Sequence, residues 1–213
     1  MKTLTKEMQA ALTPSQAVEL LKEGNKRFIN NLKVNRNLLQ QVNETSDGQH
    51  PFAIVLSCID SRTSAELIFD QGLGDIFSAR IAGNVLNEDI LGSMEFACKV
   101  AGAKVIVVLG HSRCGAINGA CDDVKLGNLS SLLAKIKPAI EAEKTITVNR
   151  NASNKEFVER VSELNVLLTM ERVLKESQVL KEMVDNNEIS VVGGFYNVES
   201  GEVEFFEKGR SVI

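Results

Sequence analysis

Three residues of this chain have the chemistry and the placement to hold a metal ion. Cys58 ends an apolar run in the segment Cys58-Ile59-Asp60-Ser61-Arg62, and His111-Ser112-Arg113-Cys114 ends another after 52 intervening residues. Two thiolates and an imidazole suit Zn²⁺, which is borderline soft and tetrahedral. Three protein ligands with a fourth position open is the pattern of catalytic rather than structural zinc. A single cysteine in a core is most often an inert thiol. Here, however, the two-residue gap between His111 and Cys114 suits capture of one ion at a strand-to-helix turn, and His111 is one of only two histidines. The other, His50 before Pro51, reads as a surface residue, while Cys98 and Cys121 read as small core residues. Asp60 and Arg62 alternate with Cys58, so along an extended backbone the three side chains share a side. Asp60 then has two uses: taking the fourth zinc position, or pairing with Arg62 and accepting a hydrogen bond from a zinc-bound water.

The elements that must position these residues follow from the apolar pattern. Continuous apolar, β-branched runs at 52–56, 105–109 and 189–192 predict parallel strands buried on both faces, and a shorter run at 76–81 predicts a further strand. Both motifs fall just past the carboxyl ends of the first two runs, where open parallel sheets place their ligands. Thr13, Pro14 and Gln16 mark a capped helix start, with Ala17, Leu20, Leu21 and Phe28 at helical spacing. This arm is expected to pack on a neighbouring copy of the chain. Loop chemistry fills 31–50. A helix capped by Asn87 closes near Gly102; a run from Ser130 to about Glu143 is interrupted by Pro138; a long helix spans about 154–174; and a short one follows Ser177. Residues 195–198 and 203–206, around the Glu199-Ser200-Gly201 turn, predict a hairpin that adds an edge strand. The fold class is therefore α/β: a central mostly parallel β-sheet flanked by helices, with an antiparallel edge strand at the C-terminus and an N-terminal helical arm. The chain reads as a single domain, 1–213, divided into an arm over 1–45 and a zinc-binding core over 46–213.

Composition narrows the partners. With 24 basic and 28 acidic residues and a net charge of −4, the chain has no excess of positive charge for a phosphate backbone, so no nucleic-acid partner is expected. No apolar run reaches the roughly 20 residues that span a bilayer, so no membrane partner is expected either. Four cysteines spread over 213 residues suit a reducing compartment, and the N-terminal residues show no apolar signal core, which together predict a cytoplasmic protein. Competing motifs fail on spacing. Gly72-Leu73-Gly74 is followed by Phe77 where a dinucleotide fingerprint wants a third glycine or alanine, and neither a Walker A loop nor a C-x-x-C pair is present.

With these residues in view, the chain resembles the β-class carbonic anhydrases. Their C-x-D-S-R and G-H-x-x-C-G signatures stand here as Cys58-Ile59-Asp60-Ser61-Arg62 and Gly110-His111-Ser112-Arg113-Cys114-Gly115. The stretches Glu66 to Asp70, Arg80-Ile81-Ala82-Gly83-Asn84, Leu21 to Phe28 and Tyr196 to Gly201 are similar to further family segments, so the likeness runs from about residue 13 to the closing hairpin. Ala65 stands where a proline is frequent and Ile81 where an asparagine is frequent; neither is a ligand position. The resemblance implies zinc on Cys58, His111 and Cys114, reversible hydration of CO2 to bicarbonate, and an Asp60–Arg62 dyad. It further implies Gln49 as a donor to substrate oxygen, and a substrate pocket of Phe77, Ala82, Gly83 and Phe96. The last of these comes from the neighbouring subunit of a homodimer or tetramer.

Some members of the family close the site by placing the aspartate on zinc, in association with a bicarbonate pocket of Trp, Arg and Tyr. This chain has no Trp, and Val55 stands at the matching place, although Arg80 and Tyr196 remain. The expectation is the open form, with Asp60 on Arg62. Two other readings use the same scaffold: a carbonyl sulfide or carbon disulfide hydrolase, and a non-catalytic zinc-binding sensor. The sensor has no use for Asp60, Arg62 and Gln49 beside an open coordination position.

Overall fold

The computed structural model describes residues 3–206. A five-stranded sheet runs in the order β2-β1-β3-β4-β5, where β1 is Ala53–Ser57, β2 Ile76–Arg80, β3 Val105–His111, β4 Ser190–Tyr196 and β5 Val203–Phe205. The first four strands are parallel and β5 is antiparallel to β4. Burial on both faces explains the unbroken apolar runs. Ala53, Val55, Val105, Val107 and Leu109 face one cluster, while Ile54, Leu56 and Ile106 face another. The chain leaves β1 toward β2 on one side and returns to place β3 on the other. The carboxyl ends of β1 and β3 therefore flank the switch in strand order, the place where open α/β sheets hold their ligands.

Helices cover both faces. On the first lie α2 (Pro14–Ile29), with the Thr13–Gln16 capping box, and the short α4 (Ala65–Ile68) that leads into β2. On the second lie α5 (Glu88–Glu95) and the helices between β3 and β4 that pack there, α9 (Lys155–Glu176) and α10 (Gln178–Asp185). The remaining helices are α1 (Lys6–Ala11), α3 (Leu38–Glu44), α6 (Gly115–Cys121), α7 (Gly127–Leu133) and α8 (Lys137–Ala142). As the Pro138 signal predicts, α7 stops short and α8 restarts with that proline in its first turn. Among the described residues no helix is long and apolar enough to cross a membrane.

Four details differ from the sequence reading. The stripe of the arm has a cover in its own chain: Ala17 and Leu21 of α2 are fully buried against Phe52, Val55 and Phe69. Within 31–50, read as loop, α3 forms on an Asn37 cap; only its polar Gln41 is buried, accepting from the Leu73 N–H, while Leu38, Leu39 and Val42 are exposed. The helix after Asn87 ends as a wide π turn over Phe96–Val100. The third parallel strand and the first arm of the hairpin are one strand, β4. Its interior Gly193 is needed because a Cβ there would meet Met170 Sδ at 2.6 Å and Val166 of α9 at 2.9 Å.

Candidate metal centre

Cys58 lies one residue past β1, His111 is the last residue of β3, and Cys114 is the N-cap residue of α6. Pairing of β1 with β3 brings these ends side by side, and a turn with Arg113 in the left-handed region (φ +56°) swings Cys114 back beside His111. The turn is tethered to β4: the Ser112 N–H donates to Tyr196 O at 2.9 Å, the Val198 N–H donates to Ser112 Oγ at 3.0 Å, and Arg113 pairs with Glu199. Gly110 lets α9 come close, since a Cβ there would meet Val166 Cγ2 at 2.6 Å.

The two sulfurs and a His111 ring nitrogen all lie within 4.8 Å of one another, and all three residues are buried. Cys58 Sγ and Cys114 Sγ are 3.9 Å apart. Two sulfurs held at about 2.3 Å by one tetrahedral zinc would be separated by about 3.8 Å. His111 Nδ1 lies 2.9 Å from Ser112 O, so that nitrogen carries the proton, and Nε2, buried and without a hydrogen-bond partner, turns its lone pair to the sulfurs. These donors fit a borderline-soft cation. Val85, Ile117, Ile136, Phe157, Val161 and Leu164 wall the sulfurs in, so charge there is poorly screened. The pair divides its proton unequally. Cys58 is pulled well below the ordinary thiol range, chiefly by the hydrogen bond from Cys114, with the backbone N–H groups of Gly83 and Asp60 adding to it against burial. Cys114 is pushed far up by Cys58 and by burial, against the amides of Ile117 and Ala116 at the start of α6.

Asp60 stands at the mouth. Arg62 grips its carboxylate at both oxygens, Nε to Oδ1 at 2.9 Å and Nη2 to Oδ2 at 2.8 Å, and the Arg62 N–H adds a third bond at 3.0 Å. These bonds hold the carboxyl below the usual carboxylate range. The loop itself is fixed through its carbonyls. Arg80 donates to Cys58 O at 3.0 Å and Asp60 O at 2.7 Å, and Thr63 Oγ1 donates to the same two oxygens at 3.1 and 2.9 Å. Arg80 enters the sequence reading as part of a family-like segment and as a remnant of a bicarbonate pocket, not as an anchor of this loop, and Thr63 does not enter it at all.

The remaining expected site residues divide. Ala82 and Gly83 form a 3₁₀ turn beside Cys58. Phe77 and Phe96 meet edge to face, ring centroids 6.2 Å apart, in a groove of about 760 Å³ between β2 and α5 that Cys58, His111 and Cys114 do not line. Phe96 is half exposed. Gln49 is exposed in the loop before β1. Cys98 and Cys121 stay apart from the centre, burial pushing their thiols up to about 12 and about 11.

Fold and site together define a mostly parallel α/β protein with a Cys–His–Cys cluster fit to hold a metal at the carboxyl edge of its sheet. The family model for carbonic anhydrase matches residues 53–203. Carbonic anhydrase 2 of Mycobacterium tuberculosis is 33% identical over 196 residues, covering 88% of this chain and 90% of that one. The carbonic anhydrase of Mycolicibacterium smegmatis is 30% identical, covering 90% and 92%. Among solved structures, a tetrameric β-carbonic anhydrase of Sordaria macrospora (25% identity, TM-score 0.68, coverage 90% and 94%) and the Aspergillus fumigatus enzyme CafA (25%, 0.68, 91% and 90%) share the fold. The chain belongs to the carbonic anhydrase family, in its β class, and is an enzyme of the reversible hydration of carbon dioxide to bicarbonate and a proton.

Proposed function

We propose that Cys58, His111 and Cys114 hold one zinc ion and that Asp60, Arg62 and Gln49 act on the substrate beside it. The convergence of two thiols on the unpartnered His111 Nε2 carries this reading. Zinc there supplies Lewis acidity that makes water a nucleophile near neutral pH. Asp60, ionised by Arg62, only accepts hydrogen bonds, so it selects a proton-bearing oxygen and aims its remaining lone pair at carbon dioxide. Arg62 keeps the carboxylate in that orientation with three bonds, and the Arg80 and Thr63 contacts keep the loop from turning away. The apolar wall around the sulfurs keeps bulk water from competing for the reacting oxygen. Gln49 donates to a substrate oxygen, with Phe77, Ala82 and Gly83 as pocket walls and Phe96 supplied by the neighbouring subunit.

The protein works in this reading in the open form, with Asp60 on Arg62 rather than on the metal. The bidentate pair and Val55 in place of an indole support this. A homodimer or tetramer completes the pocket: Phe96 is half exposed at the free edge of the sheet, and the Sordaria relative is tetrameric. The arm and core act as one unit, in the cytoplasm. Asp60→Asn tests the assignment: about 10²-fold loss of stopped-flow CO2 hydration is expected with the metal retained. Unchanged turnover in metal-loaded Asp60→Asn would remove Asp60 from the chemistry. For the open form, the pH–rate profile is expected to persist smoothly through neutrality without strong bicarbonate inhibition; a cooperative shut-off there would assign the closed type.

A further inference from the structure

The left-handed turn beside Cys58 is held from a helix that neither signature motif contains. Gly83 has φ +67°, and Asn84 after it is also left-handed at +42°. Successive residues in this region persist only where the surroundings fix them. Gly83 is itself the softest residue available, since it visits both signs of φ freely. In its observed state its N–H points at Cys58 Sγ, 3.3 Å away. Its carbonyl receives Nδ2 of Asn165 at 2.9 Å, and Asn165 is 4% exposed on α9, between Leu164 and Val166. The same Val166 lies over Gly110, so the close approach that brings α9 to β3 also brings Asn165 to Gly83.

We infer that Asn165 is a positioning residue of the metal centre: it pins Gly83 so that the N–H of that residue stays donated to the Cys58 sulfur. An N–H held on the sulfur fixes which lone pair remains for a metal and draws charge from the thiolate. Removing the pin frees Gly83 to rotate and lets the sulfur turn. The Gly83 N–H, one bond behind the ligand, is a partner of the kind worth about 10- to 100-fold in metal affinity, and Asn165 acts through it. The inference rests on the proposed metal site, and its test separates the two.

The test is Asn165→Asp, which keeps shape but presents lone pairs instead of an N–H to Gly83 O, alongside Asn165→Leu, which keeps volume without polarity. Each protein is exchanged into cobalt(II), whose thiolate charge-transfer band reports the sulfur directly, and its affinity is measured by chelator competition. Expected are at least about 10-fold weaker cobalt binding and a shifted charge-transfer band in both variants, with far-UV circular dichroism unchanged. Should the buried charge prevent folding, Asn165→Ser, too short to reach Gly83 O, carries the same expectation. Variants that keep the wild-type band and affinity, or lose only unfolding stability, overturn the role of Asn165 while leaving the metal site intact. A wild-type chain that takes up no cobalt overturns both.

Discussion

Asp70 offers the sharpest test of how the arm and the core are joined. Its carboxylate is 3% exposed and accepts from Arg27 Nε at 2.6 Å on α2, from Arg36 Nη1 at 2.5 Å and from the Val34 N–H at 3.2 Å. The Arg36 side chain is itself only 7% exposed. The informative substitution is Asp70→Asn, because Asp70 sits at φ +45° and asparagine tolerates that conformation, so only the charge is removed. Arg36 is then left buried without its counter-ion, which costs about 3–5 kcal/mol. For a chain of this length that is a fall in Tm of roughly 6–20 °C. Ion pairing depresses the Asp70 pKa in the folded state, outweighing its burial. Its contribution is thus complete above the unfolded value of about 3.9 and is lost as pH falls through the lower folded value. Urea unfolding followed by circular dichroism is expected to show a constant gap between wild type and Asp70→Asn from pH 7 to 5, closing below about pH 4. Adding Arg36→Met should recover part of the loss. A gap under about 1 kcal/mol at pH 7, or one that does not narrow in acid, would refute this account.

Cys114→Ser is expected to lower metal content from about one ion per chain to near none by elemental analysis, since only Cys58 and His111 remain as donors. Gly110→Ala drives a methyl into Val166 and should cost about 1–3 kcal/mol in urea unfolding, with weakened metal binding because His111 is the next residue.

The parts of the fold legible in the sequence are those in which burial writes a pattern. Strands covered on both faces left continuous apolar runs, and Thr13 and Gln16 announced α2 by the capping box they form. Where a polar atom does the anchoring the pattern is silent: α3 is held through Gln41, and its apolar residues face outward. Gly193, crowded by α9, and Gly194, close against Leu109 and Val203, broke the apolar run of β4, so one strand read as two. The stripe on α2 announces a buried face but cannot say whose sheet covers it. At the site, the donors stand in two short motifs, and Asp60 and Arg62 are near enough in sequence to be read as neighbours. Arg80, Thr63 and Asn165 act on backbone carbonyls, which every residue has, so no side-chain spacing points to them.

The separation of the donors also orders events in time. Cys58 and Cys114 are 56 positions apart and meet only when β1 and β3 pair in parallel. Until that long loop closes, an ion meeting the chain finds His111 and Cys114 on one turn and no third ligand. Parallel, non-local pairing is a slow step in folding. At the proposed site, metal captured after it would stabilise the native state by mass action and act on the unfolding rate more than on the folding rate. The ion is then a latch set once the sheet has closed, rather than a seed around which the chain collapses.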